Sequence, residues 1–166
     1  MRSSLTVLAL LALTGAVALA VPALSSGGAD GRKVVSAAVL APVSGPYVGS
    51  TSQIRGVSGG GLPWRLDAGD VDLRADGRLR VEVEGLVFAA GPNEGTNTVP
   101  SFRATVSCQT IEAGAATVSN VSTDPFPASS VGDAEIDATV TLPSPCIAPI
   151  VFVTSPGGAW FAATGV

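Results

Sequence analysis

Apolar and charged residues alternate most regularly between residues 70 and 88, in the stretch DVDLRADGRLRVEVEGLVF. A period of two places the apolar side chains on one face of a strand and the charged side chains on the other. The alternation is interrupted once, at Asp76-Gly77, and Asp-Gly between two such runs predicts a type I′ turn with positive φ at both residues. This segment therefore predicts an antiparallel β-hairpin with one face in water.

Further strands are predicted along the rest of the chain. Residues 101–108 (SFRATVSC) and 133–142 (DAEIDATVTL) show the same alternation, with one apolar face each. Residues 146–154 (CIAPIVFVT) are nearly all apolar, which indicates a more fully buried strand. The residues SPGG at 155–158 predict a turn, after which 159–165 (AWFAATG) form the last strand.

These patterns predict an all-β fold. Windows of helix length are broken by Gly or Pro, and the intervening segments 89–100 and 122–132 have loop composition. We predict a single antiparallel β-sandwich of the Ig-like or Greek-key type, with about seven or eight strands, over residues 52–166. Residues 21–51 are interpreted as a linker or partly ordered N-terminal segment, although the apolar patch KVVSAAVLAPV (33–43) could also form a first strand.

The N-terminal residues predict export. Arg2 precedes an apolar run that ends in Ala18-Leu19-Ala20, the layout of a secretory signal peptide over residues 1–20 with cleavage after Ala20 or nearby. An uncleaved membrane anchor is the alternative, since the run could just span a bilayer. We expect a secreted, extracellular protein with no membrane span after signal cleavage.

The two cysteines, Cys108 and Cys146, both lie in the exported part. An even count in an oxidising compartment predicts one disulfide, which by loop entropy would stabilise the fold by about 4 kcal/mol. Two free thiols or a two-cysteine metal site are the alternatives, but the chain has no histidine to complete such a site.

Charge restricts the class of partner. The chain has 9 basic and 13 acidic residues, and cleavage of the signal peptide would remove Arg2 as well. An acidic surface repels phosphate backbones, so nucleic-acid binding is not expected. The expected partner is an unidentified extracellular or envelope component.

Residues 56–60, GVSGG, match the pattern G-x-S-x-G that presents a nucleophilic serine in many hydrolases. A serine hydroxyl needs a neighbouring base, usually histidine, and the chain has none. The only lysine, Lys33, lies in the predicted linker, and the residues GGLPW that follow cannot begin a helix. We therefore interpret Ser58 as a loop residue and predict no catalytic residues and no cofactor.

Acidic residues offer the remaining chemistry, namely calcium binding or hydrolysis by paired carboxylates. The spacing of the acidic cluster around Asp70 differs from the calcium-loop pattern, and the paired acids alternate with apolar residues, which places them on a solvated face. A carboxylate-based hydrolase or a calcium-dependent carbohydrate-binding protein is kept as the alternative function, and no metal ligand is assigned. The residues concerned are Asp67, Asp70, Asp72 and Asp76 in the cluster, and Glu82, Glu84, Asp133, Glu135 and Asp137 in the pairs.

The tryptophans Trp64 and Trp160 each closely follow a turn, in GLPW and GAWFA. An exposed indole could stack on a sugar, whereas a buried indole would close the core of a small sandwich. We expect one of them in the core and keep both as candidate ligand contacts.

Three segments carry a resemblance: IRGVSGGGLPW (54–64), DGRLRVEVEGLV (76–87) and TLPSPCIAPIVFVTSPGGAWFAATG (141–165). Over residues 52–166 the chain resembles a group of small secreted proteins of high-GC Gram-positive bacteria that have no established function. The resemblance implies export and a single domain. The absence of a nucleophile–base pair, together with a disulfide-bonded scaffold that carries long loops rich in Gly, Pro and Asn, favours a non-enzymatic extracellular binding or structural module.

Overall fold

The computed structural model describes residues 31–165. The predicted signal peptide and residues 21–30 of the predicted linker lie outside the described residues. Within the described range there are twelve strands, four of which have only two residues. They are β1 (Lys33–Ala37), β2 (Ala41–Pro42), β3 (Trp64–Arg65), β4 (Ala68–Arg74), β5 (Arg78–Glu84), β6 (Val87–Phe88), β7 (Ser101–Glu112), β8 (Ala115–Ser122), β9 (Phe126–Pro127), β10 (Ala134–Thr139), β11 (Ile147–Thr154) and β12 (Trp160–Ala163).

The strands form two principal antiparallel sheets. One has four strands in the order β1-β4-β5-β10, and the other has the order β2-β12-β11-β7-β8, with β9 paired to the start of β7. The small pair β3-β6 lies outside both sheets. The prediction of an all-β antiparallel sandwich is confirmed. No helix in residues 31–165 has the length and apolarity needed to cross a membrane.

The core lies between the two sheets. Side chains of β5 alternate strictly between exposed and buried, as the sequence pattern predicts. The buried face of β7 is also as predicted, with Phe102, Ala104, Val106 and Cys108 fully inaccessible to solvent. Each fully buried large apolar side chain stabilises the fold by roughly 1.5–3 kcal/mol. Across the core, the buried residues of β7 face apolar side chains of the four-stranded sheet, namely Val71, Leu73, Leu79, Val81, Val83 and Ile136.

The predicted β4–β5 hairpin is present, but its turn type differs from the prediction. Gly77 has φ 85°, whereas Asp76 is not among the residues with positive φ. The Gly77 N–H donates to the Arg74 carbonyl at 3.0 Å, so the loop has three residues and ends in a left-handed glycine. A turn with positive φ at both central residues, as type I′ requires, occurs instead in the β7–β8 hairpin. Its central residues are Ala113 (51°) and Gly114 (81°).

Residues 33–43 belong to the folded domain and are not a linker. β1 pairs antiparallel with β4 along the edge of the four-stranded sheet. β2 pairs with β12 in the other sheet, and Val43 beyond it is fully buried. The apolar residues of this patch are therefore needed to complete both sheets, and the sandwich begins before residue 52.

The segment that follows, residues 44–60, covers part of the outer face of the six-stranded sheet, and we call it the covering segment. Its end runs beside β12, where the Trp160 N–H donates to the Ser58 carbonyl and the Gly60 N–H donates to the Trp160 carbonyl, both at 2.9 Å. Arg55 reaches over the sheet and donates from Nη1 to the Ser107 carbonyl at 2.9 Å. This sheet is thus shielded from water on parts of both faces.

The disulfide between Cys108 and Cys146 is present, as predicted. Cys108 lies on the buried face of β7, and Cys146 immediately precedes β11. Because β7 and β11 are neighbours in the sheet, the bond fixes the start of β11 to the middle of β7.

Candidate functional site

The outer face of the four-stranded sheet carries most of the charged side chains of the strands, and we call it the charged face. The alternation of β4, β5 and β10 sends their apolar residues inward, so the intervening residues point to solvent. The strand register brings six carboxylates and three guanidinium groups together on this face. They are Asp70, Asp72, Glu82, Glu84, Glu135 and Asp137, with Arg74, Arg78 and Arg80.

One row of the charged face consists of acids alone. Asp70 of β4 lies opposite Glu82 of β5, which in turn lies opposite Glu135 of β10. Like charges in directly opposed positions destabilise a sheet by a few tenths of a kcal/mol per pair. The sheet therefore keeps an unfavourable row of carboxylates across β4, β5 and β10.

Arg80 partly compensates this row. Its Nη2 atom lies 2.7 Å from Glu82 Oε1 and 3.2 Å from Glu135 Oε1. The hydrogen bond to Glu82, followed by the charges of Glu82, Glu135 and Asp137, raises the pKa of Arg80. The two glutamates remain about half exposed, at 48% and 59%, so water and solutes reach them.

A groove of about 680 Å³ opens beside this row. Its acidic wall is formed by the ends of β5 and β10, and its opposite wall by the segment that follows β9. The groove is lined by Glu82, Val83, Glu84, Pro127, Ala128, Ser129, Asp133, Ala134 and Glu135. Four carboxylates and one hydroxyl surround an open space large enough for an extended side chain or a short peptide segment.

Hydrogen bonds fix the shape of the groove at one end. Asp133 accepts a hydrogen bond from the Gly85 N–H at its Oδ1 atom, at 3.0 Å. The Asp133 N–H donates to Ser129 Oγ at 2.9 Å, and the Ser129 N–H donates to the Asp133 carbonyl at the same distance. These contacts hold the wall against the sheet. Glu84, in contrast, has neither a hydrogen bond nor an ion pair at its carboxylate among the described residues.

The acidic cluster of the sequence is dispersed by the fold. Asp67 pairs with Arg65 at 2.9 Å, Asp76 pairs with Arg78 at 2.7 Å, and Asp72 forms an ion pair with Lys33. Asp70 faces Glu82 across the sheet. Among residues 31–165, no three acidic or cysteine side chains are grouped so that they could hold a metal ion. Asp67, Asp70 and Asp72 thus have separate neighbours, and the calcium-dependent alternative on Asp67, Asp70 or Asp72 stays a prediction.

Ser58 lies in the covering segment, far from any strand-to-helix turn. Its hydroxyl accepts a hydrogen bond from Gln53 Nε2 at 2.9 Å. A glutamine amide is not a base, so this contact does not activate the hydroxyl. The glycines after it have packing roles: a Cβ on Gly59 would lie 1.9 Å from the Tyr47 carbonyl oxygen, and one on Gly60 would lie 3.0 Å from Trp64 Nε1. Close packing thus explains two of the three glycines, and the match to the hydrolase pattern needs no chemistry.

The structure places both candidate tryptophans in the interior. Trp64 is 2% exposed and Trp160 is 1% exposed, so neither presents an indole face on which a sugar could stack. The expectation that one of them lies in the core is confirmed, and the second is buried as well, because the covering segment closes a second apolar layer that the sequence pattern does not reveal.

The two indoles lie on opposite faces of the six-stranded sheet. Trp64 stacks on Phe161 with ring centroids 4.0 Å apart and meets Phe102 at 6.3 Å, on the inner face. Trp160 meets Phe152 at 5.9 Å and Tyr47 at 6.3 Å, on the outer face. Consecutive residues of a strand point to opposite faces, so Trp160 and Phe161 enter different layers. A bulge in β12, where Thr154 pairs with Trp160 and Phe161 is the extra residue, shifts the register at this point.

Sequence reasoning missed the wall of the groove. Residues 122–132 have loop composition, and the short strand β9 (Phe126–Pro127) is positioned by pairing with Ser101–Phe102 at the start of β7. A two-residue strand has no periodicity, so only the non-local pairing could reveal it. The acidic wall, in contrast, follows directly from the alternation in β5 and β10.

Comparisons with known proteins do not add to this picture. Neither a scan of protein-family models nor searches of curated proteins and of solved structures give a match to this chain. The resemblance to secreted proteins of high-GC Gram-positive bacteria stays a prediction.

Proposed function

We propose that this protein is a non-catalytic extracellular binding module that takes a cationic partner in the groove of its charged face. The observation that carries the proposal is the unbalanced row Asp70–Glu82–Glu135 beside an open groove. A protein that needed this face only for solubility could alternate the signs of opposed residues, as the next row, Asp72–Arg80–Asp137, does.

The chemistry of the partner follows from the lining of the groove. Carboxylates accept hydrogen bonds from amines and guanidinium groups, and charge assistance makes these bonds stronger than neutral ones. The groove offers Glu84 and the exposed edges of Glu82 and Glu135 for this purpose. A lysine- or arginine-containing segment of an extracellular or envelope protein is the partner that fits.

Two further features support a binding role rather than catalysis. The carboxylates of the charged face are solvated, whereas a general acid at neutral pH needs burial to raise its pKa. The wall of the groove is held in place by the pairing of β9 with β7 and by the hydrogen bonds between Ser129 and Asp133. The predicted signal peptide together with the disulfide supports an extracellular location.

Calorimetry tests the proposal. It measures the binding of a lysine- and arginine-rich peptide to the protein purified without residues 1–20. We expect Glu84→Gln and Glu135→Gln each to weaken binding by about five- to tenfold, because each removes a charge-assisted hydrogen bond. Raising the salt concentration should weaken binding as well, since exposed charges are screened.

Glu94→Gln is the matched control, because it removes the same charge from an exposed loop outside the groove. It should change the affinity by less than about twofold. Equal losses for Glu84→Gln and Glu94→Gln would mean that only the net charge attracts the peptide, and the proposed groove would be wrong. Turnover of a glycoside or ester that disappears with one carboxylate would overturn the non-catalytic part.

A further inference from the structure

The two principal sheets have four edge strands, and three of them are protected against pairing with another chain. β1 carries Lys33 and a break in register, and β10 carries Glu135 and Asp137. β2 has two residues including Pro42, and the end of the covering segment continues along that edge. Charges, irregular register, proline and short length are the devices by which proteins prevent edge-to-edge association.

β8 has none of these devices. It has eight residues, AATVSNVS, without charge or proline, and it pairs with β7 in an unbroken register from Glu112↔Ala115 to Thr105↔Ser122. From Ala116 to Ser122 its residues alternate between exposed and half-buried side chains. Among the described residues, no backbone hydrogen bond outside the β7–β8 ladder involves residues 115–122.

The ladder shows which backbone groups of β8 are free. The Thr123 N–H donates to the Ala104 carbonyl at 2.9 Å, which fixes the phase of the antiparallel hydrogen bonds. Hydrogen-bonded pairs alternate with non-bonded pairs, so Val121, Ser119 and Thr117 bond to β7. The N–H and C=O groups that point away from β7 belong to Ala116, Val118, Asn120 and Ser122.

We propose that β8 pairs with β8 of a second copy of this chain across a two-fold axis, so that two six-stranded sheets join into one. The four free residues are self-complementary in the antiparallel register centred on Ser119. Val118 pairs with Asn120 of the second copy, and Ala116 pairs with Ser122 of the second copy. The two-fold axis repeats both pairs, which gives four pairs in total. Each pair exchanges two bonds, so the ladder contains about eight hydrogen bonds.

The charge distribution makes the uncharged β8 edge the surface on which two copies of this chain meet with the least repulsion. The chain is acidic, with 13 acidic and 9 basic residues, and two copies repel each other over most approaches. The β8 edge carries no charged side chain, so two copies that meet there do not bring like charges together. An isologous contact also uses the free edge of both copies, so assembly stops at the dimer.

An apolar patch beside this edge adds contact area. Ile111, Val118 and Ile147 are 54%, 41% and 48% exposed, and they lie together at the end of the β7–β8 hairpin. A two-fold axis perpendicular to the joined sheets places the patches of both copies on the same side. Pairing of the strands therefore brings the second copy beside the Val118 side chain.

Hydrogen exchange of the purified protein, measured by NMR at high and low concentration, tests the pairing residue by residue. We expect the amides of Ala116, Val118, Asn120 and Ser122 to exchange at least about tenfold more slowly at high concentration, because they are bonded only in the dimer. The amides of Thr117, Ser119 and Val121 should be protected at both concentrations. Equal exchange of the free amides at both concentrations, with a monomer mass throughout in sedimentation velocity, would overturn the proposal.

Substitution at Val118 provides the second test. Val118→Pro removes a backbone N–H that faces solvent in the monomer, and an edge strand tolerates this. The dimer loses one hydrogen bond per copy, so its Kd should rise by at least about tenfold. Val118→Ala is the matched control, since it shortens the same side chain and retains the N–H, and it should raise the Kd by less. A dimer insensitive to Val118→Pro, or assemblies larger than a dimer, would show that another surface is used.

If Val118→Pro does not fold, the alternating exchange pattern of the unaltered chain decides the question by itself. The outcome is also separate from the proposed peptide site, because β8 and the charged face belong to different sheets. A monomeric protein that binds the cationic peptide would contradict only the dimer.

Discussion

The outer faces of the two sheets differ in what covers them. The outer face of the four-stranded sheet is charged and lies in water, with Glu82 and Glu135 about half exposed. The corresponding face of the six-stranded sheet buries Phe152 and Trp160 beneath the covering segment. One sheet therefore has a single apolar face, whereas the other lies between two apolar layers.

This difference separates the sheet that supplies most of the apolar packing from the face that we propose binds a partner. Burial of large side chains on both faces of the six-stranded sheet supplies apolar stabilisation twice along the same strands. The four-stranded sheet keeps opposed carboxylates, which are mildly destabilising, on its free face. We infer that the well-packed sheet supports the charged face, and four predictions test how far the two regions differ.

Removal of the residues before Ser52 should have the largest effect. The truncation deletes β1, β2, the fully buried Val43 and the first part of the covering segment, including Tyr47. We expect loss of the cooperative thermal transition in circular dichroism, because both sheets lose an edge and the outer layer opens. A chain that begins at Gly31 is the control and should melt cooperatively; a truncated chain with an unchanged Tm would mean that the N-terminal strands are dispensable.

Large side chains on the two outer faces should differ strongly in their contribution to stability. Trp160→Ala should lower the free energy of unfolding by about 3–5 kcal/mol, since it leaves a cavity beside Phe152. Glu82→Ala on the charged face should change it by less than about 0.5 kcal/mol. Urea unfolding of both variants measures the difference, and similar values for the two would contradict the contrast between a covered and a free face.

The covering segment can be loosened by a single methyl group. A Cβ on Gly59 would lie 1.9 Å from the Tyr47 carbonyl oxygen and 2.8 Å from Val43, so Gly59→Ala should destabilise the fold by about 1–3 kcal/mol. Gly61→Ala, two positions later, has no atom within 4 Å of the added carbon and should have almost no effect. Equal Tm values for the two variants would show that Gly59 is not closely packed against Tyr47 and Val43.

The smallest effect is expected at the turn of the β4–β5 hairpin and depends on pH. Desolvation is the largest single influence on Asp76 and raises its pKa, but the hydrogen bonds and charge of Arg78 together hold the pKa below the ordinary value of 3.8. A carboxyl whose pKa is lowered by folding stabilises the protein above its unfolded pKa, and the effect is lost as the pH falls through the folded pKa.

Asp76→Asn should therefore lower the Tm slightly at neutral pH and match the unaltered protein only in acid, once the pH is below the folded-state pKa of Asp76, which lies under 3.8. Thermal melts from neutral pH downward measure this convergence. A difference in Tm that grows on acidification would mean that the Arg78 contacts do not stabilise the charged form.

Regular alternation is what made part of this fold predictable. In β5 and in the first half of β7 every second residue is apolar, and each of these is buried where the sequence places it. The acidic wall of the groove follows from the same pattern. The pairing of Cys108 with Cys146 also follows, because two cysteines allow only one intramolecular bond.

Features without a periodic signal or a recognisable turn could not be predicted in this way. The β7–β8 hairpin turns at Ala113-Gly114, where alanine gives no turn signal although it has positive φ. The covering segment consists largely of small and polar residues, and its role follows from where it lies on the sheet. For the same reason Trp160 could not be assigned to the interior, since the layer above it is contributed by residues about a hundred positions earlier.

The placement of the two indoles gives the molecule a built-in optical probe on each side of one sheet. Trp64 reports the space between the sheets, and Trp160 reports the space beneath residues 44–60. In a chain with only two tryptophans, replacing either one by phenylalanine leaves a single emitter. Red-shifted emission from one emitter before the other during unfolding would reveal which layer admits water first.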